Sequence, residues 1–205
     1  MKDKTVIVDA VEPVSKGFLS INRYALRHST PDGGMSNPVY REVMERGNAA
    51  AAIIYDKTLD SVLLVEEFRI GQMASGVYGD DGWSIGPIAG VVEAGEDGLK
   101  TVIREAREEV GIVIPDDADF EGPLRYFSSP GGTSEILDIY VIHADITKCD
   151  PTLIDNDEDE YTVPVVMTVD ELRDHVASNI TTASLVAGLM MLNNIKHFEE
   201  KSDAP

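Results

Sequence analysis

Cysteine is nearly missing from this chain. Cys149 stands alone, so no internal disulfide can form, and it has no partner at metal-ligand spacing, which leaves it a passive residue. Basic residues are scarce as well: 17 lysines and arginines face 37 aspartates and glutamates, for a formal charge of −20. Such a field repels phosphate backbones, which argues against nucleic acid as a partner. A small anionic substrate meets the same repulsion, so a divalent cation and a few placed arginines must screen it at its site. No apolar run reaches about 18 residues, the length that reads as a membrane helix. The opening MKDKTVIVDAVEPVSKG carries neither an apolar signal core nor a small-residue cleavage site. The expectation is a soluble cytoplasmic protein with no membrane contact.

What remains is an ordinary globular composition, 43% hydrophobic over 205 residues, enough for one good core or one core with a small appendage. Residues 5–8, 18–27 and 39–44 read as strands separated by glycine-rich turns. They hold too little apolar surface for independent stability, so residues 1–47 form a small antiparallel β region that packs on something else. Residues 48–205 form the main domain. Within it, 49–55 and 62–69 are apolar runs joined by the turn Asp56-Lys-Thr-Leu-Asp60, a hairpin expected at the centre of the sheet. Residues 71–83 read as a loop, 85–92, 124–128 and 136–144 as further strands, and 169–177 and 182–198 as helices.

The most informative stretch is GVVEAGEDGLKTVIREAREEVGI, residues 90–112. Leu99, Val102, Ile103, Ala106 and Val110 recur at helical spacing, with Asp97 placed to cap the start of the helix and Gly111 its end. At roughly 100° per residue, Glu105 and Glu109 lie about 40° apart around the axis and Glu108 about 60° from Glu105, so three carboxylates share one arc. A solvated acidic stripe accounts for such a cluster as readily as a cation site does. The loop before the helix weighs towards the cation: it spends two glycines and two further acids where the backbone must bend and approach a ligand closely. Oxygen ligands of this kind suit magnesium, manganese or calcium.

The order of these residues is specific. Gly90, Glu96, Arg104-Glu105-Ala106, Glu108-Glu109 and Gly111-Ile112, at their spacings, match the Nudix box at every fixed position, and the chain resembles the Nudix hydrolases. The resemblance implies an α/β/α sandwich with a mixed sheet that hydrolyses a diphosphate linked to another group. It implies Glu105, Glu108 and Glu109 as magnesium ligands, with manganese a possible substitute. The backbone carbonyl of Ala89 is a further ligand, Arg104 orients a carboxylate, and Glu96 is structural or an outer ligand.

Other stretches resemble the ADP-ribose pyrophosphatases within that family. GFLSINRYALRH and MSNPVYREVMERGNAAA are similar to their N-terminal region, which implies a sheet that exchanges with a partner chain in a homodimer. Phe18 is then a candidate for stacking on adenine and Arg41 for a phosphate contact; a core aromatic and a surface arginine are the plain alternatives. The strand end Glu66-Glu67-Phe68-Arg69 places Arg69 near substrate, where its fork can grip a diphosphate, although an arginine at a strand end also commonly pairs with a neighbouring glutamate. Residues 128–135, SSPGGTSE, resemble the signature loop that follows the box, making Gly132, Thr133 and Glu135 substrate-site candidates. By composition alone they form a turn.

The acidic run 155–160 falls where the subfamily carries the glutamate that acts as general base. Aligning the strand that follows gives Asp157, whereas residue type favours Glu158. The function implied is magnesium-dependent hydrolysis of ADP-ribose to AMP and ribose 5-phosphate. A Nudix hydrolase of another sugar nucleotide such as GDP-mannose is the nearest alternative, and a non-catalytic ADP-ribose sensor a more distant one.

Overall fold

The computed structural model describes residues 4–79, 81–115, 117–155 and 161–202, the last five of these for their backbone only. The elements run β1 (Val6–Lys16), β2 (Ser20–His28), β3 (Val39–Glu45), β4 (Ala49–Asp56), β5 (Ser61–Phe68), α1 (Ile70–Ser75), β6 (Trp83–Gly86), β7 (Ile88–Val91), α2 (Gly98–Val110), β8 (Phe120–Phe127), β9 (Ile136–His143), β10 (Val163–Thr168), α3 (Val169–Ser178) and α4 (Ala183–Ser202). The chain falls into two compact units, Met1–Asn48 with Phe127–Ile136, and Ala49–Tyr126 with Leu137–Pro205. The architecture is α/β, with a mixed sheet and a separate small antiparallel one.

The first unit is a three-stranded antiparallel sheet in the order β1-β2-β3. β1 is longer than the short apolar stretch suggests: it continues through Glu12-Pro13 to Lys16, with register shifts between Val8 and Ala10 and between Pro13 and Ser15. An edge strand tolerates a proline because only one side must donate to the ladder. The loop 128–135 belongs to this unit. Met44 N–H donates to the Gly132 carbonyl at 2.8 Å, and Thr133 Oγ1 donates to the Met44 carbonyl at 3.0 Å.

In the second unit the order is β10-β5-β4-β9-β8, with β10 and β4 antiparallel to β5 and β9 parallel to β4. The β4–β5 hairpin splits as it leaves its turn. Ile54, Tyr55 and Asp56 pair with β5, whereas Ala49–Ala52 pair with β7 and Val65–Phe68 with β6. Residues 83–91 thus wedge between the two strands, with Pro87 at the break between β6 and β7 where a ladder bond would be missing. That wedge brings Gly90 and Ala89 into the middle of the sheet.

Period-two alternation sends β4 and β5 to two cores. Ala50, Ala52, Ile54, Leu63 and Val65 pack beneath α2 with Val102, Ala106 and Val110. Ile53, Tyr55, Val62 and Leu64 pack on the other face with Leu172 of α3 and Leu185, Leu189 and Leu192 of α4. Both faces are covered, as an unbroken apolar strand requires. α1 occupies the start of a stretch that reads as loop; it buries no residue, so it carries no amphipathic pattern to detect. β8 likewise begins at Phe120, ahead of Gly122-Pro123, which look like a turn in sequence. Among the described residues no helix is long and apolar enough to cross a membrane.

The hairpin turn is tied to α4 by Asp60, a non-glycine residue at φ 47°. Its carboxylate accepts from Lys196 Nζ at 2.6 Å and from Tyr55 Oη at 2.9 Å, and Lys196 chiefly holds its pKa below the usual aspartate value. A depressed carboxylate pKa contributes stability that is present above the unfolded value and is lost as pH falls through the folded one. Asp60→Asn, which keeps a residue tolerant of positive φ, is expected to lower the melting temperature at pH 7. The deficit should shrink as pH falls below about 4. A deficit independent of pH in thermal scans would refute the ion pair's role.

Candidate active site

α2 builds the site from its own capping. Asp97 accepts from Lys100 N–H at 3.0 Å and starts the helix, and Gly111, at φ 67°, ends it. A Cβ on Gly111 would lie 2.2 Å from the Asp150 carbonyl oxygen, and Asp150 N–H donates back to the Gly111 carbonyl at 2.8 Å, so glycine is required there twice over. With both ends set, the apolar stripe turns down onto β4 and β7, and Glu109 turns with it. Glu109 is buried at 8% exposure and accepts a 3.1 Å hydrogen bond from Ala89 N–H.

Burial raises the Glu109 pKa well above the ordinary value, and the Glu67 and Glu105 charges push it further. Glu67 continues the row of Leu63 and Val65 on the face of β5 that α2 covers, and it too is buried, at 9% exposure. It is ion-paired with Arg69. Two further carboxylates, Glu67 from β5 and Glu105 from α2, therefore act on Glu109. Gly90 is part of this arrangement: a Cβ there would lie 1.8 Å from Glu105 Oε1.

Arg104 ties the exposed side of the cluster. Its Nη1 donates to Glu105 Oε1 at 2.8 Å and to Glu108 Oε2 at 2.9 Å, and its Nε and Nη2 reach Glu96 at 3.4 Å. Glu96 also accepts from Thr101 Oγ1 at 3.0 Å. The Arg104 guanidinium, and then Thr101, hold the Glu96 carboxyl below its usual range.

Two observations bear on whether a divalent cation fits. The donors are all oxygens, and a buried carboxylate pressed by like charges is a group that a cation would stabilise. The missing Cβ at Gly90 leaves the space that Glu105 fills. As the side chains stand, among the described residues no three acids converge on one point, since Arg104 takes the bonds between Glu105 and Glu108 that a cation would take. The residues fit such an ion in the chemistry of their donors, with Arg104 as the group it displaces.

The expected residues divide between the two units. Ala89, Glu96, Arg104, Glu105, Glu108, Glu109 and Arg69 lie in the second unit, and all but Arg69 meet directly around α2 and β7. Phe18, Arg41, Gly132, Thr133 and Glu135 lie in the first. There Glu135 is buried and accepts from Ser128 Oγ at 2.6 Å, and its other oxygen pairs with Arg46 Nε at 3.2 Å. Arg41 is exposed and donates to the Tyr40 carbonyl, and Phe18 is 99% exposed. Asp157 and Glu158 lie outside the described residues, but both flanks of their segment are anchored. Asp155 N–H donates to the Glu108 carbonyl at 2.8 Å and Thr162 Oγ1 to the Glu109 carbonyl at 2.9 Å.

Arg69 makes the pairing with a neighbouring glutamate that the sequence offers as one of its two roles, and the partner is Glu67, whose burial the sequence does not mark. Arg46 follows β3 with no pattern to mark it.

The chain's likenesses to known proteins agree with this geometry. The NUDIX domain model matches residues 45–185. The ADP-ribose pyrophosphatase of Escherichia coli (strain K12) is 36% identical over 142 residues, covering 69% of this chain and 65% of that protein. The match thus spans just under two thirds of that relative's length. The GDP-mannose pyrophosphatase of Cronobacter sakazakii is 31% identical over 139 residues, 66% of this chain and 70% of that protein. A solved structure of an ADP compounds hydrolase superposes with a TM-score of 0.69 over 95% of each chain at 20% identity, a likeness of fold.

Proposed function

Since the chain belongs to the NUDIX family, whose hydrolases generally use divalent metal ions, we propose that it is a magnesium-dependent hydrolase of ADP-ribose, releasing AMP and ribose 5-phosphate. The observation that carries this is the buried Glu109 beside Glu105 and Glu67, a collection of negative charge that folding alone gives no reason to assemble. Magnesium, or manganese in its place, would be held by Glu105, Glu108, Glu109 and the Ala89 carbonyl, with Glu96 outside them. When bound, it neutralises the diphosphate and acidifies the attacking water.

The chain's own residues do the rest. Arg104 holds Glu96, Glu105 and Glu108 in register before the ion arrives. Arg69, whose side chain is 44% exposed, is open to grip the diphosphate oxygens. Water attacks one phosphorus, its proton passes to a carboxylate, and the bridging P–O bond breaks. Asp157 or Glu158 is the proposed acceptor. The anchoring of the flanking Asp155 and Thr162 to the carbonyls of Glu108 and Glu109 supports this. Phe18 and Arg41, on the resemblance of residues 1–47, and Gly132, Thr133 and Glu135, on that of residues 128–135, are proposed substrate contacts, and a homodimer is the proposed assembly.

GDP-mannose is the second reading, supported by the likeness to pyrophosphatases of that sugar nucleotide. The box sees only the diphosphate, so the rates for ADP-ribose, GDP-mannose, diadenosine polyphosphates and NADH decide between them. The expected result is fastest turnover of ADP-ribose with magnesium, all of it lost in excess chelator and restored by magnesium. Hydrolysis that survives chelation would overturn the proposed chemistry. Binding of ADP-ribose without phosphate-bond cleavage in saturating magnesium would leave a sensor instead.

A further inference from the structure

Thr101, the fourth residue of α2, is the most deeply buried polar side chain among the described residues: it is 0% exposed, whereas the other buried polar residues all keep some exposure. Its Oγ1 lies within reach of two acceptors, Glu96 Oε2 at 3.0 Å and the Asp97 carbonyl at 3.2 Å. A hydroxyl has one proton to give. The carbonyl four residues back is an acceptor that any helical threonine can use, and that bond alone would make Thr101 an ordinary core residue. The carboxylate is both nearer and charged, and a charge-assisted bond is roughly twice as strong as a neutral one. The proton therefore goes to Glu96.

Among the described residues two side chains bond the Glu96 carboxylate, and a cation acts on them differently. Arg104 reaches it through two contacts of 3.4 Å, while the same guanidinium holds Glu105 at 2.8 Å and Glu108 at 2.9 Å. A cation that takes Glu105 and Glu108 removes those bonds and repels the guanidinium besides. Thr101 carries no charge, and its complete burial leaves it little room to turn. We infer that Thr101 is a positioning residue for the cation site: its hydroxyl keeps hold of Glu96 Oε2 when Arg104 is displaced, and so keeps that carboxylate at the edge of the cluster. Outer groups of this kind orient the ligands of a metal and tune its affinity. The inference rests on the proposed cation site with Glu96 outside its direct ligands, and it supplies the anchor for that outer carboxylate.

The test measures Mn2+ binding to the full, substrate-free chain by the electron paramagnetic resonance signal of free Mn2+, together with the melting temperature of the metal-free protein. Thr101→Val keeps the branched shape and removes the hydroxyl. It should bind Mn2+ about tenfold more weakly, at the lower end of what outer groups contribute. Its metal-free melting temperature should change little, because Arg104 still holds Glu96 there. Thr101→Ser restores the hydroxyl without the methyl and should recover the native Mn2+ affinity. A purely structural threonine gives the opposite pattern, with lower melting temperatures and native Mn2+ affinity in both variants, and that result overturns the inference. So does a Thr101→Ser chain as weak as Thr101→Val, which would trace the loss to packing. If Thr101→Val fails to fold, Thr101→Ala removes the same hydroxyl and carries the same expectation. Two controls separate this inference from the reading beneath it. Native Mn2+ affinity in Glu109→Gln sinks the cation site, and native affinity in Glu96→Gln removes Glu96 from its surroundings. Weakened binding in both controls beside native binding in Thr101→Val overturns the role of Thr101 alone.

Discussion

Glu109→Gln is expected to lower turnover of ADP-ribose by about 10³-fold or more while leaving the fold intact, since electrostatic stabilisation at a metal site supplies the larger part of such chemistry. The amide has the shape of the carboxylate and can still accept from Ala89 N–H, the bond that seats the side chain. What it removes is charge. In the metal-free protein that charge is unfavourable, because Glu109 is buried and faces Glu67 and Glu105. The metal-free variant should therefore melt no lower than the native chain at neutral pH. The pairing of lost activity with undiminished stability separates a ligand from a packing residue, which would lose both. Turnover near the native rate would remove Glu109 from the ligand set.

Gly90→Ala is expected to cost about 10²-fold in activity, the scale of a misplacement near 1 Å at a reacting centre. The added Cβ would sit 1.8 Å from Glu105 Oε1, 2.4 Å from its Cδ and 2.7 Å from its Cγ, so the whole end of that side chain must move. The backbone has no reason to object: Gly90 lies in β7, pairs with Ala50, and is absent from the positive-φ glycines. The loss should appear as weaker metal affinity more than as weaker substrate affinity, and raising magnesium should recover part of it. Circular dichroism should remain native. A Gly90→Ala enzyme with native metal dependence would show that Glu105 has a second productive position, and the close approach would lose its meaning.

These two residues also separate what could be read without the fold from what could not. The spacing of Gly90, Glu96, Arg104, Glu105, Glu108 and Glu109 marks the box. The apolar stripe and both caps of α2 follow from the chain alone, because capping and a 3.6-residue period are local. The β4–β5 hairpin is legible for the same reason, as two apolar runs joined by a short polar turn. Less local features went unread. β1 continues through Pro13 because it is an edge, and α1 forms without burying any residue. Neither condition is visible in a run of residues.

The sequence by itself determined that one helix carries a row of carboxylates behind a glycine-bearing loop, since that is a matter of order and angular spacing along a single chain segment. Only the tertiary structure decided which of those acids is buried and what it meets there. Glu109 faces Glu67 because residues 83–91 split β4 from β5 and α2 lies across the gap, bringing together side chains separated by 42 positions in the chain. Charge repulsion acts through space, and no local pattern encodes it.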